Sequence, residues 1–300
     1  MNENKANLFL VGAMKAGTTA FVDLIGQHSS IYVSPIKEPH YFVNILPKEI
    51  YEPSRFFSIK KYLSKEFPKP LHIANITDEE DYRKLFSLAS EKKYLLEAST
   101  GYLHAPEAAE RIFRYNPKAK ILILTRKPLQ RAFSHYKMDV ALGRTSRTFT
   151  EVLQANLADF RAGELSPWSY LGMSLYSENA SRFISRFGKE HVHIIGLEDY
   201  ISNHDVSLIS LYEFLDIDAE PLILKQKNSG KELTFPKVFY LLKKTGLKDV
   251  FSYVVPQKLR HRLFRNLSSE KKSQIHLPSN LLEQLNTLFE EDQQKLSSYL

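Results

Sequence analysis

Three short stretches hold residue types that could do chemistry together on an anion. The first is Gly12-Ala13-Met14-Lys15-Ala16-Gly17-Thr18-Thr19, the second is Lys37-Glu38-Pro39-His40, and the third is Arg126-Lys127-Pro128 with Ser134 further along. In the first, glycines let backbone N–H groups approach an oxyanion closely, Lys15 adds a full positive charge, and Thr18 and Thr19 can donate hydroxyl hydrogen bonds. In the second, the Glu38 carboxylate could take the proton of a hydroxyl nucleophile about 3 Å away; it could equally pair with Lys37 or Lys15 on a loop surface. His40 is the rival base, since the intrinsic pKa of imidazole suits proton transfer, although a lone histidine also reads as structural. In the third, the planar fork of Arg126 matches phosphate oxygens and Ser134 offers a directed O–H donor. Either alone also fits an arginine paired with a carboxylate at a sheet end and a surface serine.

The elements that must position these residues are legible around them. Leu8 to Val11 is a short apolar run, the pattern of a buried strand, and after Thr19 the apolar residues Ala20, Phe21, Leu24 and Ile25 fall at helical spacing. A strand, a glycine-containing loop and a helix in that order make an anion site, because the first N–H groups of the helix lack internal partners and its dipole adds partial positive charge. Ile31–Val33 reads as a short strand, with Pro35 and Pro39 punctuating the loop that carries Glu38. Tyr94–Ala98 reads as a strand, with Ser99-Thr100-Gly101-Tyr102-Leu103 as its carboxyl-end loop. Ile121–Leu124 is a buried parallel-strand run ending at Arg126, and Pro128 opens a helix that carries Ser134. Helices are further expected over Asp78–Ser90 with Thr77 as cap, Ala105–Tyr115, a stretch ending at Phe187, Val206–Leu215, and Ser279–Tyr299 with Ser279 as cap; His191–Leu197 is expected as a strand. The expected fold is α/β, a P-loop-like three-layer α/β/α arrangement with a central parallel sheet. It is expected as one domain over 1–300, with an insertion at about 51–91 and a basic, helical C-terminal part at about 232–300.

Composition sets the outer limits. The 300 residues carry 41 Lys and Arg against 34 Asp and Glu, a net charge of +7, and 43% are hydrophobic. Lys225–Lys272 holds thirteen Lys and Arg against Glu232, Asp249 and Glu270. A basic balance favours anionic ligands: an anionic cofactor, a glycan acceptor, acidic lipid or nucleic acid. No zinc-finger spacing or RNA-binding aromatic signature supports nucleic acid. The chain has no cysteine, which excludes disulfides and thiolate metal sites. It lacks a run of roughly 18 apolar residues, and Met1–Asn7 lacks a signal pattern, so a cytoplasmic location is expected, with peripheral membrane contact left open.

The phosphate-loop pattern G-x-x-x-x-G-K-[ST] puts its lysine after the second glycine, whereas here Lys15 precedes Gly17 by two residues. The order Gly12-x-x-Lys15-x-Gly17-Thr18-Thr19 resembles the 5′-phosphosulfate loop of sulfotransferases that use 3′-phosphoadenosine 5′-phosphosulfate (PAPS). Arg126-x-Pro128 followed by Arg131-Ala132-Phe133-Ser134-x-Tyr136 resembles the segment that holds the 3′-phosphate of PAPS in those enzymes. Together the two stretches give the chain a resemblance to PAPS-dependent sulfotransferases, the heparan sulfate-type group and its bacterial relatives above all.

That resemblance implies roles. Ala13, Met14, Lys15, Ala16, Gly17, Thr18 and Thr19 would cradle the phosphosulfate, with Lys15 stabilising the leaving group. Arg126 and Ser134 would hold the 3′-phosphate. Lys127 departs from the family's usual Asp or Asn but leaves both in place. Glu38 stands where the family has its proposed general base. Glu97, Ser99 and Tyr102 match a segment that lies near the acceptor. Glu198 would orient its neighbours. Ser229, Gly230 and Lys231, with Lys227 before them, would belong to a late loop over the 3′-phosphate. No metal is implied, and the absence of the Golgi members' membrane anchor points to the soluble bacterial branch. The expected reaction moves a sulfuryl group to a hydroxyl, with an amine as second choice. The acceptor (glycan, lipid, small metabolite or peptide tyrosine) and the oligomeric state stay open. The alternatives are a P-loop-type nucleotide-dependent kinase and a non-catalytic anion-binding protein.

Overall fold

In a computed structural model, residues 4–53, 57–223, 232–233, 268–269 and 274–299 are described. In chain order their regular elements are β1 (Leu8–Gly12), α1 (Thr18–Ile25), β2 (Ile31–Val33), β3 (Ile36–Glu38), α2 (Ile59–Lys65), β4 (Leu71–Ile73), α3 (Glu79–Lys84), β5 (Tyr94–Ala98), α4 (Ala108–Tyr115), β6 (Lys120–Thr125), α5 (Pro128–Ala141), α6 (Phe149–Ala162), α7 (Ser177–Phe187), β7 (Val192–Gly196), α8 (Leu197–Ser202), α9 (His204–Leu215), β8 (Glu232–Leu233), β9 (Ser268–Ser269) and α10 (Ser279–Tyr299). The chain divides into two compact units. One comprises Met1–Pro128, Leu175–Lys225 and Phe289–Leu300; the other comprises Leu129–Ser174 and Gln226–Leu288.

The first unit is built on β1. Every residue of Leu-Phe-Leu-Val-Gly is buried, so the strand has no face for water and needs a neighbour on each side. It pairs in parallel with β5, Leu8 opposite Leu96, and with β6, Leu8 opposite Lys120. The full sheet has the order β2-β5-β1-β6-β7, and every pairing in it is parallel. Parallel strands need crossovers, and the helices that supply them lie on both faces, giving the expected three-layer α/β/α fold.

Several local expectations are corrected. Glu38 is the last residue of a strand, not part of a loop: β3 pairs in parallel with β4, Glu38 opposite Ile73. The stretch read as an insertion at about 51–91 therefore supplies the partner for the strand that carries Glu38. The helix expected over Asp78–Ser90 is only Glu79–Lys84, and its cap is Asp78, which accepts the Asp81 N–H at 3.0 Å. The strand β6 ends at Thr125, leaving Arg126 as the first residue beyond it. The strand expected over His191–Leu197 stops at Gly196, and Glu198 and Asp199 sit in the first turn of α8, where acids suit the helix dipole. Ser279 is the first residue of α10 and not its cap.

A buried carboxylate of α10 closes this unit. Asp292 accepts the N–H groups of Tyr176 at 2.7 Å and Ser177 at 3.1 Å, and the Ser177 hydroxyl at 2.5 Å, so it caps α7 from a distant part of the chain. The second unit holds a different buried charge. Arg131 of α5 is fully buried and donates to Ser174 Oγ and to the Tyr170 carbonyl, each at 2.7 Å. In the same unit α6 opens with a reciprocal Thr148–Glu151 capping box. Removing the Asp292 acceptor strands two buried N–H donors; Asp292→Ala should lower unfolding free energy by about 2 kcal/mol in chemical denaturation.

Candidate active site

Because β1, β5 and β6 run parallel side by side, their carboxyl ends open on one edge of the sheet, where open α/β folds bind ligands. Cross-ties hold that edge together. Ala13 N–H bonds Leu124 O at 2.6 Å, Ser99 N–H bonds Leu10 O at 3.1 Å, and Leu103 N–H bonds Val11 O at 2.8 Å. Gly12 is required by this closeness: a Cβ there would lie 2.6 Å from Leu103 Cβ.

The loop from Ala13 to Thr19 then turns through two left-handed residues, Lys15 at φ 72° and Gly17 at φ 81°. Gly17 precedes α1, which has no side-chain cap, so the donors of its first turn are left for a ligand or water. Ala13, Ala16 and Thr18 are buried; Met14, Lys15, Gly17 and Thr19 are half-buried. Arg126, just past β6, donates from Nη1 to the Lys15 carbonyl at 3.1 Å. Its Nε is buried without a hydrogen-bond partner, and no carboxylate among the described residues forms an ion pair with it. The backbone at this turn is fixed on both sides of the arginine's carbonyl. Tyr176 OH donates to Arg126 O at 2.9 Å, and Lys127 N–H reaches both Glu198 oxygens at 3.2 Å.

Glu38 is 8% exposed and doubly engaged. Lys37 Nζ donates to its Oε1 at 2.6 Å and Thr100 Oγ1 to its Oε2 at 2.9 Å. Burial pushes its pKa up, but the charges of Lys37 and His40 and these two hydrogen bonds outweigh burial and hold the carboxyl below its usual range. His40 is fully buried, and burial draws its pKa down despite the attraction of Glu38. Its Nδ1 faces two carbonyls, Glu38 O at 3.1 Å and Ala74 O at 3.3 Å. Both can only accept, so Nδ1 carries a proton. Nε2 has no hydrogen-bond partner and stands 3.5 Å from Glu38 Oε2.

Glu97 is completely buried beside this pair. Its Oε1 accepts Ser99 Oγ at 2.6 Å; its Oε2 accepts Tyr82 OH at 3.0 Å and Tyr102 OH at 2.9 Å. Desolvation dominates over these three donors and raises its pKa to about 7.

Comparison with known proteins addresses the family. The model of the sulfotransferase family matches residues 7–221. This chain belongs to the sulfotransferase family. Heparan sulfate glucosamine 3-O-sulfotransferase 5 of Mus musculus is 24% identical to it over 210 residues, covering 69% of this chain and 52% of that protein. Carbohydrate sulfotransferase 15 of Rattus norvegicus is 23% identical over 273 residues, covering 74% and 45%. The chain thus spans about half the length of the curated relatives it matches. The crystal structure of a sulfotransferase from Alicyclobacillus acidocaldarius superposes with a TM-score of 0.64 at 25% identity, covering 98% of this chain and 95% of that one.

Within this sulfotransferase-family chain, the structure brings together the Ala13–Thr19 loop and Arg126, and separately Glu38 with His40. Ser134 lies on α5 in the second unit. Ser229, Gly230 and Lys231 lie outside the described residues, as does most of the basic stretch Lys225–Lys272. No helix among the described residues is long and apolar enough to cross a membrane. Sequence reasoning missed the Thr100 hydroxyl on Glu38, and it placed Glu97 near the acceptor without foreseeing its burial. The signal for Thr100 was its place in a polar loop at the end of an apolar strand.

The raised pKa of Glu97 has a sign that can be checked. Between its usual value of 4.5 and about 7 the native chain keeps a proton that the unfolded chain has released. Stability therefore falls as pH rises through that window, by roughly 3 kcal/mol in all, and is unaffected by this group below it. Glu97→Gln should remove that fall, seen as a flatter plot of denaturation midpoint against pH from 4.5 to 7.

Proposed function

We propose that this chain transfers the sulfuryl group of PAPS to an acceptor hydroxyl. The observation that carries the reading is the hydrogen bond from Arg126 to the Lys15 carbonyl. It sets a guanidinium with no carboxylate partner among the described residues against a glycine loop at an uncapped helix start, an arrangement that suits a ligand with several phosphate-type groups. In the transfer, the acceptor oxygen attacks sulfur, the bond from sulfur to the 5′-phosphate oxygen breaks, and 3′,5′-bisphosphoadenosine leaves with the electron pair. Lys15 and the first N–H groups of α1 stabilise the charge that grows on that oxygen.

Glu38 takes the acceptor proton. Its depressed pKa keeps it ionised near neutrality. The two oxygens differ: Lys37 on Oε1 can only donate, whereas the Thr100 hydroxyl on Oε2 can turn and accept. The proton therefore goes to Oε2. A second reading, favoured by the unpartnered Nε2, makes His40 the base. The resemblance further assigns the 3′-phosphate to Arg126, with Ser134 and the late-loop residues Ser229, Gly230 and Lys231 resting on sequence pattern alone. A saccharide hydroxyl is the first choice of acceptor, in line with the relatives named for heparan sulfate and carbohydrate sulfation. The cytoplasmic location expected from the sequence belongs to the same proposal.

Calorimetric titration tests the nucleotide. Bisphosphoadenosine should bind, and adenosine 5′-phosphate should bind roughly 10- to 100-fold more weakly, as should bisphosphoadenosine to Arg126→Ala. Equal binding of the two nucleotides, or preference for ATP, would sink the reading. With PAPS and a heparan-type saccharide, Glu38→Gln should lower kcat by about 10²- to 10⁴-fold while KM for PAPS holds. Full activity in Glu38→Gln with loss in His40→Asn would transfer the base role to His40.

A further inference from the structure

The segment that carries Glu38 and His40 needs holding. His40 has φ 50°, a left-handed conformation that a non-glycine residue keeps only when its surroundings over-determine it. Two backbone donors on either side of its peptide frame it, and neither is tied to a strand partner. His40 N–H donates to Ser99 Oγ at 3.1 Å, and Phe42 N–H donates to Tyr102 OH at 3.2 Å. An N–H can only donate, so each hydroxyl must be the acceptor and is free to donate onward. Both donate to the same place: Ser99 to Glu97 Oε1 and Tyr102 to Glu97 Oε2. Tyr82, from the insertion, donates to Oε2 as well, and its ring stacks on Tyr41 with centroids 4.3 Å apart.

We propose that Glu97 is a positioning residue. Its carboxyl oxygens accept the Ser99 and Tyr102 hydroxyl hydrogens, so that the hydroxyl lone pairs clamp the amides of His40 and Phe42, and thereby set the backbone that aims Glu38 and His40. Its catalytic meaning rests on the reading given under the preceding heading; its geometry does not. A residue that only filled the core would stabilise the segment as a whole. A clamp with two arms instead predicts two separable effects, because each hydroxyl serves one amide.

The experiment is amide hydrogen exchange at His40 and Phe42 by NMR on the full chain, with bisphosphoadenosine titrated into the same samples. Ser99→Ala should speed exchange at His40 by about tenfold or more and leave Phe42 within about twofold; Tyr102→Phe should do the reverse. Glu97→Gln, which keeps the side-chain shape, should speed both. Ser99→Thr, which keeps the hydroxyl, should restore His40. Far-ultraviolet circular dichroism confirms that each variant is folded. Unchanged exchange at both amides in folded variants, or the same rise at both in every variant, would overturn the clamp. If bisphosphoadenosine binds and the arms do not separate, the clamp fails alone. If the arms separate and bisphosphoadenosine does not bind, the clamp stands and the sulfotransfer reading fails.

Discussion

The parallel seating of β1 between β5 and β6 is the constraint on which the rest depends. A strand with all five residues buried cannot tolerate an edge, and the parallel direction brings three strand ends to one side. The loops that leave those ends then bond one another. Ala13 reaches back to Leu124, and Ser99 and Leu103 reach back to Leu10 and Val11. Apolar burial fixes the sheet, and hydrogen bonds at its rim fix the loops; neither alone would place Arg126 against Lys15.

The polar centre of the first unit obeys the complementary rule that buried polar groups need partners. Glu38 and Glu97 are both buried carboxyls, yet their proton affinities move in opposite directions. Glu38 has a lysine on one oxygen and a histidine near the other, so nearby charge outweighs desolvation. Glu97 has only neutral hydroxyls, so desolvation wins. The contrast follows from the kind of donor each meets, since a charged donor compensates a buried anion far better than a neutral one. On the roles proposed for them, the two carboxyls are thereby suited to different tasks, one to exchange a proton and one to hold geometry.

Much of this was legible in the residues themselves. The strands at Leu8 and Tyr94 and the helix opened by Pro128 follow from apolar runs and from proline geometry, which are local signals. The strand, glycine turn and helix of the first stretch were legible because an apolar run, two glycines and helical spacing follow one another in order. Glu38 was misplaced onto a loop because β3 and β4 are three-residue strands whose partners lie far apart in the chain; no local pattern encodes such a pairing. The later start of α3 reflects a competing capper: Asp78 outdoes Thr77 because a carboxylate at the cap also meets the helix dipole. Burial of Glu97 was illegible for a related reason. An acid in an apolar strand signals either an exposed face or a satisfied interior, and its three donors come from residues 82, 99 and 102.

The left-handed backbone at Lys15 has a meaning for how this loop tolerates change. A lysine at φ 72° holds a conformation that glycine or asparagine would adopt more readily. Stability by itself therefore favours losing the lysine at this position, while the anion-binding role proposed for it favours keeping it. A library randomised there and sorted only for thermal resistance should drift toward glycine and asparagine, and one sorted for turnover should return lysine. On the proposed function, position 15 is where folding and catalysis pull the same codon in opposite directions.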